Sequence, residues 1–235
     1  LHRRAIYEAM SATRRASLHK AIGEVLRRRA DSNEPRMSSE IARHLAETGS
    51  DDDAEQALRY AEAAADEAYR AYAYAEMEAA VDLALSLALR NFPDDARRRC
   101  GLLLRLAEAR TRKGDQDGSA RAAADEALKL AEQIGDRDLA ARACHLVLDG
   151  MLRRGVNMVQ ATNRYRFWSE RARRYSRSGS AARVYSDLAE ATIASMRGNE
   201  DGAWALRIEA LSSAERLGDE DARHYALHQL LWYPP

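Results

Sequence analysis

Residues that end helices recur at nearly constant intervals through most of this chain. One series consists of Gly114, Gly155 and Gly198, and a second series alternates with it: Asn91, Gly135, Gly179 and Gly218. Two stops per period of about 42 residues are typical of a repeat made of two antiparallel helices. One such pair cannot bury its apolar face alone, so neighbouring pairs must stack.

The composition favours helix along the whole chain. Ala, Leu, Arg and Glu dominate, whereas Val, Ile, Thr and Phe are scarce, and we find no convincing strand. The sequence therefore predicts an all-α fold, a right-handed superhelix of stacked antiparallel helix pairs, which is a tetratricopeptide-like α-solenoid. The predicted pairs cover residues 53–90, 94–134, 137–178 and 181–217, and a further helix opens at about residue 220.

Small apolar residues form the faces on which the second pair is expected to pack. They are Leu103, Leu106, Ala107 and Ala109 on its first helix, and Ala120, Ala123, Ala127, Leu128 and Ala131 on its second. Small side chains let helices approach closely, which explains why alanine is so abundant.

Two boundaries are expected outside the array. Leu1 falls inside an amphipathic helical pattern without a capping residue ahead of it, and turn-forming residues break the next helix at 31–35. We therefore interpret residues 1–36 as the helical end of a preceding, winged-helix-like segment. Residues 37–235 are the repeat array, which stops at Pro234-Pro235 as if truncated.

Charge, cysteine content and hydropathy narrow the class of protein. The net charge is zero, but residues 37–95 carry −10 and the flanking segments +5 each. An acidic middle argues against direct contact with nucleic acid.

Cys100 and Cys144 lie in apolar helical runs and are expected to be free, buried thiols. Without a signal peptide or a long apolar run, we expect a cytoplasmic protein that neither spans nor binds a membrane.

No pattern of catalytic or metal-binding residues stands out. The chain lacks the glycine-rich phosphate loops, the zinc-protease motif and the nucleophile elbow. Asp51, Asp52 and Asp53 fit the first turn of a helix better than a calcium loop. His224 and His228 share a helix face, but nothing completes a metal site around them. We therefore expect no enzyme, no metal and no cofactor in this segment.

Polar stripes on the first helices of the pairs are the candidate site. First helices line the concave surface of such superhelices, where ligands usually bind. The candidate groove residues are Arg105, Arg112, Arg142, His145, Asp149, Arg153, Arg183, Asp187 and Glu190. The alternative is that each stripe is only the solvated face of an amphipathic helix.

Aromatic residues provide a second candidate. The densest cluster is Tyr165-Arg166-Phe167-Trp168. Because consecutive helical residues point in different directions, at least one of these rings should be exposed, and Tyr165 and Trp168 are possible anchors for a partner. The alternative is packing between helix pairs. Three further tyrosines are expected to cover a helix-pair junction: Tyr69, Tyr72 and Tyr74.

Two segments resemble a known family. They are His2–Leu26, HRRAIYEAMSATRRASLHKAIGEVL, and Ser39–Leu89, which opens SEIARHLAETGSDDDAEQAL; His44 and Gly49 stand where the family tends to place them. The family is the large ATP-binding transcriptional regulators of the LuxR class, of the maltose-activator type, with the related signal-transduction ATPases of numerous domains. The repeats here are longer than the common tetratricopeptide repeat of roughly 34 residues. They also lack its typical Trp and Pro positions, so the tetratricopeptide assignment is by architecture.

The resemblance implies a function. In this family a P-loop ATPase and a winged-helix segment precede the helical array, and a helix-turn-helix usually follows it. The segment would then be the regulatory or sensor module, binding an inducer or a partner protein in its groove, and ATP would bind only to the upstream ATPase domain of the same chain. The alternative is a stand-alone scaffold that joins proteins and has no small-molecule ligand.

Overall fold

The computed structural model of the protein describes residues 7–30, 37–114, 118–153 and 158–232. These residues form no β-strand, and besides a helical segment at 7–9 they form eleven α-helices. The all-α prediction is therefore confirmed. Several sequence features lie outside the described residues: the opening Leu1 pattern, the break at 31–35, the stop at Gly155 and the final prolines.

The chain divides into two compact units, Leu1–Asp115 and Gln116–Pro235. The helices of the first unit are α1 (Ala12–Ala30), α2 (Ser38–Ala46), α3 (Asp51–Arg70), α4 (Tyr74–Asn91) and α5 (Ala96–Lys113). Those of the second are α6 (Ser119–Gln133), α7 (Arg137–Arg153), α8 (Met158–Tyr175), α9 (Ala181–Met196), α10 (Glu200–Leu217) and α11 (Glu220–Trp232).

Within each unit, consecutive helices pack against one another. The predicted pairs at 53–90, 137–178 and 181–217 correspond to α3 with α4, α7 with α8, and α9 with α10. The pair predicted at 94–134 spans the division between the units, so its two helices belong to different units. All of its predicted small-residue positions are buried.

Alanine forms much of the core of the first unit. On α3, which packs extensively against α2 and α4, the buried apolar residues recur at helical spacing: Ala54, Ala57, Leu58, Ala61, Ala64, Ala65 and Ala68. The neighbouring helices present larger buried side chains, including Ile41 and Leu45 on α2 and Met77 and Val81 on α4. Small residues on the central helix and larger ones on its neighbours fill the space between the helices.

Ion pairs join the acidic helices of the first unit to the basic helix α5. Arg98 Nε donates to Glu62 Oε1 at 3.2 Å, and its Nη1 lies 3.3 Å from Glu55 Oε2. Arg110 Nε donates to Glu78 Oε1 at 2.8 Å, and Lys113 also contacts Glu78. The acidic block seen in the sequence is therefore partly neutralised by its own chain.

The turns between helices follow the predicted glycines. Gly114, Gly135, Gly179, Gly198 and Gly218 all have positive φ, as a left-handed residue after a helix requires. The turn between α3 and α4 differs, because Tyr72 takes this conformation with φ of 57° and leaves 78% of its surface exposed. The sequence had predicted that Tyr72 covers the junction between these helices, and this prediction was wrong. Among the described helices, none is long and apolar enough to cross a membrane.

Candidate functional site

Three aromatic rings from three different helices meet on one side of the second unit. His145 of α7 stacks on Tyr185 of α9, with ring centroids 3.9 Å apart and planes inclined by 21°. Tyr225 of α11 meets both rings edge-on, at 5.4 Å from His145 and 5.5 Å from Tyr185. All three are partly exposed. We call these three residues the ring cluster.

The packing of α9 explains why the rings meet. α9 contacts α7 and α11 as well as α8 and α10, so the first helices of three successive pairs lie next to one another. The core below the rings contains Val184, Leu188, Ala210, Ala214, Ala222 and Ala226, and Tyr185 and Tyr225 pack against it from their partly exposed positions. The two tyrosines thus combine an apolar contact with the core and partial exposure to solvent.

The exposed part of this surface continues along α11. His228 and Trp232 follow Tyr225 by one and two helical turns, which places them on the same side of the helix. The rings of His228 and Trp232 are 5.8 Å apart, and Trp232 is 70% exposed. We call the ring cluster together with His228 and Trp232 the ring face.

The predicted charged stripe on α9 lies on the other side of that helix. Tyr185 is two positions from both Arg183 and Asp187 and therefore about 160° around the helix from each. Arg183 Nε donates to Asp187 Oδ1 at 2.7 Å, and Ser169 Oγ of α8 donates to Glu190 Oε1 at 2.9 Å. These three predicted groove residues face away from the ring face, and Glu190 points toward α8.

The stripe predicted on α7 is only partly exposed. Arg142 is exposed and His145 belongs to the ring cluster, but Asp149 is buried, with 6% of its surface accessible. A carboxylate at that depth does not meet a ligand at the surface, so its assignment to an open groove was wrong. Arg153 is the last residue of α7 and lies outside the residues whose side chains are described.

The two predicted groove residues of α5, Arg105 and Arg112, differ from each other in their surroundings. Arg105 forms an ion pair with Asp66 of α3, which gives it a structural contact within the first unit. Arg112 is exposed. Within the second unit, Arg183, Asp187 and Glu190 lie on the side of α9 away from His145. Of the predicted groove residues, His145 is the member that lies in the ring cluster.

The aromatic anchors proposed from the sequence are buried. Tyr165 and Trp168 of α8 belong to the core, so their assignment as exposed anchors was wrong. The exposed member of that cluster is Phe167, which is 50% accessible and lies 5.4 Å from the guanidinium carbon of Arg171. The expectation that at least one ring is exposed is therefore confirmed. The exposed ring is Phe167, not Tyr165 or Trp168.

Sequence reasoning missed Tyr185 and Tyr225, although a signal was present. Tyr185 lies midway in the sequence between His145 and Tyr225, and both intervals are close to the repeat period. Aromatic residues at equivalent positions of successive repeats should lie side by side on the stacked first helices. A search for polar residues alone overlooks this register.

The cysteine that precedes His145 in the sequence is not an activated thiol. Both cysteines are free and buried as predicted, and burial raises the pKa of Cys144, next to His145 in sequence, to about 12. A thiol with so high a pKa is a poor nucleophile. In the described part of the chain, no group of three or more His, Cys, Asp or Glu residues could hold a metal ion.

A scan against protein-family models finds no family that matches, and a search of the curated proteins finds no significant match.

Proposed function

We propose that the chain is a regulatory interaction module that binds an inducer or a protein partner on the ring face. The observation that carries the proposal is the contact of His145, Tyr185 and Tyr225 across three helices. Tyrosine and tryptophan are favoured at binding surfaces because they bury a large area and also offer a polar group. Trp232 and His228 extend this surface along α11.

The geometry of the rings favours a ligand that lies across them over a ligand that is enclosed by them. A stacking distance of 3.9 Å leaves no space between His145 and Tyr185, so the cluster is a platform and not a cage. An extended peptide or a flat molecule could lie across the platform and touch α7, α9 and α11 together. A ligand of this kind suits a surface made by successive repeats.

The mechanism we propose is a shift in population. We propose that the stacked pairs form a right-handed superhelix and that the ligand binds better to one spacing of α7, α9 and α11 than to another. Such a ligand would favour that form of the array. The resemblance to LuxR-class regulators supports a parent protein in the cytoplasm, in which an upstream ATPase domain binds ATP and reads this change.

A scaffold that joins proteins, without a small-molecule ligand, is the second candidate. The observation in its favour is the same platform, because a filled cluster offers surface area and no enclosed space. The two candidates differ in what stabilises the protein. An inducer raises the melting temperature when it binds the folded state, whereas a scaffold responds only to a protein.

The test compares binding by matched variants. Candidate inducers and peptides are screened by thermal shift, and those that stabilise the chain are titrated by calorimetry against wild type, Trp232→Ala and Tyr185→Ala. We expect each variant to weaken binding about tenfold or more, as loss of an aromatic anchor does. Phe167→Ala, an exposed aromatic of α8 outside the ring face, should bind like wild type. Unchanged affinity in both ring-face variants would remove the ring face as the site.

A further inference from the structure

A cleft in the first unit lies between the C-terminal half of α1 and the middle of α3. Its volume is about 590 Å³, and its lining contains Arg27, Gln56, Arg59, Tyr60 and Ala63. This volume is within the range of small-molecule sites, about 300 to 1,000 Å³. Among the described residues, the lining includes two arginines and no acidic side chain.

The walls of the cleft are held in place by contacts between α1 and α3. Arg27 Nη1 donates to Gln56 Oε1 at 2.6 Å across the cleft. A second contact joins the same helices: Lys20 Nζ of α1 lies 3.5 Å from Asp53 Oδ2 of α3. Asp53 is one turn before Gln56, and Lys20 is two turns before Arg27. Arg27 is therefore positioned before a ligand arrives, and its guanidinium has four further N–H donors.

Glu55, a carboxylate beside the cleft, is shared between two arginines. Glu55 lies 3.5 Å from Arg59 Nε, but its other oxygen is 3.3 Å from Arg98 of α5. Arg98 also binds Glu62. The charges of Arg59, Arg98, Glu55 and Glu62 therefore balance, and Arg27 adds the net positive charge of the cleft lining.

We propose that this cleft binds a phosphorylated small molecule. Arg27 and Arg59 come from two helices and bring two guanidinium groups to one space, which suits a phosphoryl dianion with three acceptor oxygens. Tyr60 and Ala63, one turn apart on α3, supply an aromatic and an apolar surface for the organic part of the ligand. Bound there, the ligand connects α1 to α3 and stabilises their packing.

Phenyl phosphate is the probe, because it combines the phosphoryl group with a small ring. Binding to the whole chain is measured by calorimetry and by thermal shift at constant ionic strength, with benzoate as the carboxylate comparison. We expect phenyl phosphate to bind more tightly than benzoate. Arg59→Ala and Arg27→Ala should each weaken binding by roughly tenfold or more, since each removes charge-assisted hydrogen bonds.

Controls separate the cleft from general charge effects. Arg59 is an exposed side chain, so Arg59→Ala should fold even if Arg27→Ala loosens α1. Arg112→Ala removes an exposed arginine from α5 and should bind phenyl phosphate like wild type. Equal affinity in wild type and Arg59→Ala, equal losses in Arg59→Ala and Arg112→Ala, or equal binding of benzoate would each overturn the proposal.

This inference goes beyond the proposed function and does not depend on it. The cleft belongs to the first unit, whereas the ring face belongs to the second. Trp232→Ala should therefore leave phenyl phosphate binding unchanged, and Arg59→Ala should leave binding at the ring face unchanged. Failure of one proposal is thus distinguishable from failure of the other.

Discussion

At the scale of single residues, charge and burial decide which side chains contribute to stability. Glu78 of α4 is partly shielded from solvent and holds two cations of α5, Arg110 and Lys113. Its hydrogen bonds to Lys113 and Arg110 lower the pKa of this carboxyl despite its burial. By contrast, Arg112 lies on the same helix as these two cations and is exposed. Neighbouring charges on one helix thus differ in their contribution to the fold.

Glu78→Gln should destabilise the chain by about 1–3 kcal/mol at pH 7, because charge-assisted hydrogen bonds are lost. The native pKa lies below the ordinary value of 4.5, so the carboxylate stabilises the fold above that value and ceases to do so as the pH falls through the native pKa. Urea unfolding from pH 7 to pH 3 measures the difference. Glu76→Gln, an exposed neighbour, should match wild type; an equal loss there would contradict this role.

His44 should make stability fall as the solution becomes mildly acidic. Its Nδ1 lies 2.9 Å from Nδ1 of His19, and this hydrogen bond requires one neutral ring. Burial, then His19, then Arg43 lower the pKa of His44, while Glu40 opposes them. The unfolded chain therefore takes up the proton first as the pH falls through 6.5, and the folded state loses stability.

The corresponding measurement compares His44→Gln with wild type by urea unfolding at pH 7.5 and pH 5.5. Wild type should lose more stability than the variant between these two values. His224→Gln, an exposed histidine of α11, should keep the dependence of wild type. Parallel curves for wild type and His44→Gln would show that the histidine contact has no influence.

At the scale of helices and turns, the sequence predicts where elements end better than which face they present. The periodic glycines locate the turns because a left-handed residue after a helix favours glycine. The sequence predicts a binding stripe at Arg183, Asp187 and Glu190, and this stripe lies on the side of α9 away from Tyr185. α9 is surrounded by four helices, so both of its sides are partly buried, and amphipathicity alone cannot identify the side shared with α7 and α11.

Tyr72 offers a test of the turn between α3 and α4. A left-handed conformation costs a side chain roughly 1–2 kcal/mol. Tyr72 gains little in return, since it is highly exposed and meets Tyr74 edge-on, at 6.4 Å between ring centroids. Tyr72→Gly should therefore raise the free energy of unfolding by about 0.5–1 kcal/mol. Ala71→Gly, one residue earlier with φ of −89°, should lower it. A loss of stability in both variants would contradict this interpretation.

At the scale of the whole molecule, a net charge of zero conceals a separation of charge along the chain. In the first unit this separation is used for packing, since acidic residues of α3 and α4 face basic residues of α5. The acidic block was interpreted from the sequence as evidence against nucleic-acid contact. Its internal partners were not predictable, because they depend on which helix lies next to which.

Salt should weaken this arrangement. Arg98→Ala removes a cation that contacts both Glu55 and Glu62, and we expect a loss of about 1–2 kcal/mol in dilute buffer. The loss should shrink in about 0.5 M NaCl, where screening limits the interaction between exposed charges to a few ångströms. Urea unfolding at the two salt concentrations measures both values. Arg112→Ala should lose little in either; a salt-independent loss in Arg98→Ala would show that packing, not charge, is responsible.

The register of the ring cluster limits how this chain can change during evolution. His145, Tyr185 and Tyr225 recur once per repeat at equal intervals, so duplicating or deleting one complete helix pair would lengthen or shorten the aromatic surface without breaking it. Inserting a single residue within α9 ahead of Tyr185 would instead rotate that ring by about 100° and turn it away from its neighbours. Length variants of such an array should therefore differ by whole repeats, and smaller insertions should be confined to the turns.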